Sequence, residues 1–199
     1  MLQYLLKTVA SILIPAIMQL NLVDMVSTSP ANAAADFMDG LRAGDSRVME
    51  KHIDNEYVNF LVNAEGDEEV VKRMKEAVFR NFTYEIEEIG TKNDVAVARI
   101  AVKNSDFSKV DYKYEKAAYD YIMDNLYKDK IADKTKLSAK CLEIYVKQLE
   151  KAADKGATYE TVVYVPMVDN GYYGWNIIVT DELMQDIMGN YIMPPTKKA

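Results

Sequence analysis

Cysteine and histidine are almost missing from this chain, which has one Cys141 and one His52 in 199 residues. A single thiol closes no disulfide within the chain, and one thiol with one imidazole cannot assemble a zinc site of the Cys/His kind, so no metal is expected. Glycine is scarce as well, at eight residues. No phosphate loop, Gly-x-Gly-x-x-Gly turn or nucleophile elbow is spelled, and no cofactor is expected. Positive charge is in deficit: 24 Lys and Arg stand against 31 Asp and Glu, for a net charge of -7 and a pI near 4.9. Such a chain lacks the basic footprint that wraps a phosphate backbone, which argues against nucleic acid as a partner.

Long hydrophobic runs are also short here. The one uncharged tract, Thr8 to Val23, has Lys7 before it and Asp24 after it and contains Pro15, Gln19 and Asn21. It falls below the roughly 20 apolar residues of a comfortable membrane span and fits the core of a signal peptide better. Residues 1–28 are therefore read as an apolar leader or membrane-directed segment. The expected location is extracytoplasmic, secreted or held at the cell envelope, with membrane association through residues 8–23; a packed apolar helix in a cytoplasmic protein is the competing reading. The small-x-small site Ala31-Asn32-Ala33 would cut into the first helix of the domain.

What is abundant is ordinary globular material, 49% apolar and 28% charged, enough for one domain over residues 29–190 with a tail at 191–199. Ser29 before Pro30 starts a helix, Phe37, Met38 and Leu41 continue it, and Ala43-Gly44-Asp45 stops it. A short second helix carries Val48, Met49, His52 and Ile53, followed by a cluster of Tyr57, Phe60, Leu61 and Val62. Acidic Asp67 to Glu69 then open a third helix with Val70, Val71, Met74, Ala77 and Val78 as its stripe. After Asn81 the period changes to two. Phe82 to Ile89 and Val95 to Val102 form a hairpin, and Thr158 to Val168 with Trp175 to Val179 form another. Pro166 marks its strand as irregular or partly at an edge. Thr180 caps a last short helix.

Between the hairpins, residues 107–155 form a helical insertion of two helices joined near Lys130 to Thr135. It holds eleven lysines against nine acids, while the rest of the chain carries a net -9. Lys136, Lys140, Lys147 and Lys151 read as a solvated stripe, with contact to an anionic envelope component as the sharper alternative.

The opening SPANAAADFMDGLRAGDSRVMEKHID, with its Ala-Gly-Asp turn, and the closing strand Gly174 to Val179 (GWNIIV) resemble nuclear transport factor 2-like (cystatin-like) domains of bacterial lipoproteins of unknown function. The resemblance spans residues 29 to 189. It implies an α+β fold in which helices pack on one face of a curved antiparallel sheet, forming a cone, with the two-helix insertion between the hairpins. A lipoprotein carries a Cys after its leader, and Leu22 to Pro30 here contains none.

A fold hosts many activities, so function rests on a site. No catalytic residue is assigned. An isomerase or dehydratase would need a carboxylate or His52 facing a cavity, and Asp54, Glu56 and His52 read respectively as polar turn and packing residues; Cys141 sits at an apolar helical position and reads as core. A ligand carrier would use an open cone lined by Tyr84, Tyr164, Met167 and Trp175, although strand parity turns Tyr164 away from Met167. An unknown protein partner would find Tyr172 and Tyr173 on the connection after Asp169. An assembly protein would show a filled cone and an exposed apolar stripe on the insertion. The expected function is thus a non-enzymatic envelope protein binding a partner or small apolar ligand, with enzyme and assembly protein as alternatives.

Overall fold

The computed structural model describes residues 29–64, 67–171 and 174–193. The leader at residues 1–28, Tyr172, Tyr173 and the end of the tail lie outside the described residues. Four helices come first: α1 (Pro30–Ala43), α2 (Ser46–Glu50), α3 (Glu56–Val62) and α4 (Glu68–Phe79). Strands β1 (Thr83–Lys92) and β2 (Val95–Ser105) follow, then α5 (Val110–Asp124), α6 (Asp129–Ala132) and α7 (Lys134–Asp154), and finally β3 (Thr158–Asp169), β4 (Trp175–Ile177) and α8 (Asp181–Ile187). The strands form one open antiparallel sheet in the order β1-β2-β3-β4. This is an α+β architecture with a helical insertion between two strand pairs, as the residue patterns predict.

Local chemistry sets most of the boundaries. The hydroxyl of Ser29 accepts from the Asn32 amide at 3.2 Å and Pro30 occupies the first turn, while Gly44 adopts the left-handed conformation (φ 65°) that ends α1. Asp45, Asn55, Asp67, Asp133 and Thr180 each accept from backbone amides at the start of α2, α3, α4, α7 and α8. The Ala31-Asn32-Ala33 site lies inside α1, where Ala33 and Ala34 are buried, so a cut there would remove the cap and first turn of a core helix.

In the sheet, Ala96, Ala98, Ile100 and Val102 of β2 and Val163, Val165 and Met167 of β3 face the helices. The period of two breaks once, at a bulge between Ile86 and Glu88 that opposes Arg99 to Glu88 and ion-pairs Glu87 with Arg99. The extra residue lets Tyr84, Ile86 and Ile89 all pack on the core. Pro166 sits opposite Val97 in a long ladder, and its carbonyl accepts from Ile178 just past the end of the three-residue β4. Its missing N–H therefore falls where β3 has no strand beside it, the partial edge that proline requires.

Sheet and helices are joined by one buried carboxamide. The side-chain nitrogen of Asn104 donates to the carbonyl oxygens of Val78 (3.0 Å), near the end of α4, and Ile187 (2.9 Å), at the end of α8, and its oxygen accepts from the Ser105 amide at 2.7 Å. One residue after α8's last turn, Gly189 (φ 70°) passes so close to β2 that an added Cβ would lie 1.9 Å from the Ser105 carbonyl oxygen. Only glycine fits there. Replacing Asn104, which is 1% exposed, by Ala orphans two buried carbonyls and an amide. The expected loss is about 2–4 kcal/mol in urea unfolding; a loss under about 1 kcal/mol would show that water replaces the carboxamide.

Candidate functional site

The space between the helices and the sheet is packed with side chains. Met38, Leu41, Met49, Met74, Ile100, Met167 and Met184 are all buried there, with Phe37 and Phe82 between them. An open cleft of about 550 Å³ lies instead on the helical side of the molecule. Its walls are Glu56, Asn59, Phe60 and Asn63 of α3 and the turn after it, Ala64, Tyr114 of α5, Ser138, Cys141, Leu142 and Tyr145 of α7, and Met193 from the chain's end.

Each wall is positioned by packing that the insertion makes possible. Helix α7 is clamped to α4 by Arg73, whose Nε and Nη2 each donate to Glu150 at 2.8 Å, and by Arg80 on Asp154 at 2.5 Å. Its other side carries α5. At the floor, Tyr145 stands edge-on to Phe60 (5.9 Å) and to Tyr114 (5.4 Å), and Phe60 stacks on Tyr191 at 6.2 Å. Tyr145 and Tyr191 join hydroxyl to hydroxyl, and Tyr57 lies edge-on to Tyr191 at 6.0 Å while its hydroxyl meets the Met193 backbone. The contacts are those aromatic rings prefer, positive edge to negative face.

The electrostatics are those of an apolar recess. Burial pushes the phenols of Tyr145 and Tyr191 well above their ordinary range, so both stay neutral. Burial, with the Cys141 thiol beside it, also raises Tyr114. The carboxylate on the wall, Glu56, is exposed at the rim. The cleft offers an aromatic floor, aliphatic and thiol sides and a few amide groups at the mouth, which suits a small apolar or ring-bearing molecule. No group of three or more metal-ligating side chains occurs among the described residues.

The residues singled out in the sequence are dispersed. Tyr84 ties β1 to α1: its hydroxyl hydrogen-bonds Asp39 at 2.9 Å, its ring stacks on Phe82, and the Arg42 guanidinium lies 5.8 Å from its centroid. Met167 is wholly buried in the core, Trp175 is half-buried against it from β4, and Tyr164 stands opposite Arg99 on the other face of the sheet. None of the four lines the cleft. Tyr172 and Tyr173 lie outside the described residues. Cys141 and Glu56 do reach the cleft, whereas Asp54 is exposed elsewhere and His52 packs edge-on against Phe37 at 5.4 Å. The cleft's lining residues come from α3, α5, α7 and the residues after α8, so no local spacing announces it. Asn81 of the Asn-Phe-Thr triplet spends both amide hydrogens on Ser105 and the Ala153 carbonyl, both at 2.9 Å.

No family model matches this chain, and no curated protein does. Among solved structures, a putative lipoprotein from Bacillus subtilis is similar to it at 17% identity, with a TM-score of 0.45, over 95% of this chain and 56% of the other. The chain therefore spans little more than half the length of that structure. Among the described residues no helix is long and apolar enough to cross a membrane.

His52 supplies a pH signature. Burial, assisted by Lys51, pushes its pKa from 6.5 down to about 4. The unfolded chain then binds a proton in the window between these values that the folded chain refuses, so stability falls as pH drops from about 6.5 to about 4. His52→Gln should remove about 2 kcal/mol of that fall, read as the difference between the two urea midpoint curves across the window. Parallel curves would mean that the imidazole is hydrated in the fold.

Proposed function

We propose that this chain is a non-enzymatic, extracytoplasmic binding protein that holds a small apolar ligand in the cleft between α3, α5 and α7. The observation that carries the reading is the cleft's floor, where Phe60, Tyr114 and Tyr145 present ring faces and edges to an opening of about 550 Å³. The chemistry around it supports binding over catalysis. The cleft presents no buried carboxylate, its phenols are held neutral, and His52 is engaged with Phe37 away from it. The extracytoplasmic location rests on the uncharged tract from Thr8 to Val23. We read the architecture as a divergent nuclear transport factor 2-like domain, on the left-handed Ala43-Gly44-Asp45 turn between α1 and α2 and on helices gathered on one face of the sheet. In that reading the usual interior is filled and the insertion has built a replacement recess.

A second reading, assembly through the insertion, is favoured by a different observation. Tyr112, Tyr119, Met123, Leu126 and Tyr127 stand exposed along α5 and the turn after it.

The ligand reading is tested with the neutral apolar probe N-phenyl-1-naphthylamine, whose fluorescence rises on leaving water. The full chain should bind it saturably, and Ser138→Phe, which projects a ring from the cleft wall, should weaken binding by about tenfold or more without moving the thermal midpoint by more than about 2 °C. Absence of saturable binding, or binding that ignores the Phe, would overturn the cleft as the ligand site.

A further inference from the structure

The exposed face of α5 has an order that a solvated helix does not need. Tyr112, Lys116, Tyr119, Met123 and Leu126 follow one another at alternating spacings of four and three, the heptad rhythm of a helix-pairing seam. Tyr112 is 71% exposed, Tyr119 62%, Met123 49% and Leu126 45%. This seam lies opposite the face that α5 buries, where Val110, Tyr114 and Ala118 meet the rest of the domain. The helix is thus apolar on two sides, with one side left to water.

Its flanking charges are arranged to match themselves in reverse. Lys113 and Asp120, seven residues apart, share one flank of the seam, and neither forms an ion pair among the described residues. Lys113 lies beside Lys155, a like charge, with Lys109 and the carboxylate of Asp106 also near. Three lysines of α7 are paired within the chain: Lys136 with Asp133 at 3.3 Å, and Lys140 and Lys147 with Glu143 between them at 2.5 and 3.0 Å.

We infer that α5 pairs antiparallel with α5 of a second copy of this chain, in an isologous seam centred between residues 117 and 118. In that register Tyr112 of each copy meets Met123 of the other, Lys116 lies along Tyr119, and Lys109 lies along Leu126. Antiparallel helix pairs bring corresponding flanks together, so Lys113 of each copy faces Asp120 of the other twice per dimer, joining an ammonium and a carboxylate that form no ion pair within the described residues of their own chain. Lys116 in the middle of the seam fixes the register, since its ammonium lies over a tyrosine ring in this alignment. The seam names the partner for the assembly reading and is independent of the cleft, which opens between α5, α7 and α3 on the buried side of the helix.

Sedimentation velocity of the full chain over a range of concentrations tests the pairing through a charge exchange. Lys113→Asp and Asp120→Lys alone should each weaken dimerisation by about tenfold, and the double variant, which restores opposite charges in the same register, should recover to within about threefold of the original. Tyr119→Glu should leave the chain monomeric with an unchanged thermal midpoint, because the side chain is exposed in the fold. Ser138→Phe should leave association untouched, which separates this inference from the cleft. A chain that is monomeric at every concentration, a dimer that survives Tyr119→Glu, or a double variant no better than the singles would each overturn the antiparallel seam.

Discussion

The carboxamide of Asn104 is the constraint on which the arrangement depends. It is the penultimate residue of β2, and it joins the backbone of α4, the backbone of α8 and the following residue of its own strand. Because buried peptide groups must find partners, the ends of two helices are held at one point on the sheet. The close passage of Gly189 over Ser105, and the Phe107 amide on the Gly189 carbonyl at 2.9 Å, belong to the same junction. From there the chain runs on to Tyr191, which packs against Tyr145 of the cleft, and to Met193, which lines it.

The insertion changes what the domain can offer. Without α5 and α7, Phe60 and Tyr191 would face solvent; with them, five aromatic rings form a cluster whose inner phenols hydrogen-bond each other. The helical layer thereby has two apolar interfaces, one on the sheet and one within itself, and the second is incomplete enough to leave a cleft. Helix α7 is fixed by the bidentate Arg73–Glu150 pair, half-buried and therefore less screened than the surface pairs along α7. Helix α5 has no such anchor and relies on its packing, which leaves its far face free.

Much of the fold is legible in the residues. The Ser29-Pro30 start, the Gly44 stop, the acid caps and the switch from helical to strand period after Asn81 are local signals, and each element they mark exists. Tyr164 turns away from Met167 as strand parity demands. The bulge at Glu87 is less legible, since FTYEIEEI reads as simple alternation until Ile89 is seen to share the core with Ile86. The site is hardly legible at all. Tyr84, Met167 and Trp175 are consumed by packing, while Tyr114, Tyr145, Phe60 and Tyr191, which shape the cleft, look individually like core aromatics.

By itself, then, the sequence determined the order of the strands and of the longer helices, the acidic balance and the presence of a helical insertion, because caps, periodicity and composition act within a few residues of one another, whereas the short helices α3, read as an aromatic-aliphatic cluster, and α6, read as the joint of a two-helix insertion, were not legible. Only the tertiary structure decided that core side chains fill the space between helices and sheet, that an open cleft lies among α3, α5 and α7, and that His52 is held neutral. Those outcomes depend on which surfaces meet across separations such as 46, 77 and 126 residues of chain, where contact is set by the packing of whole elements and not by any local pattern.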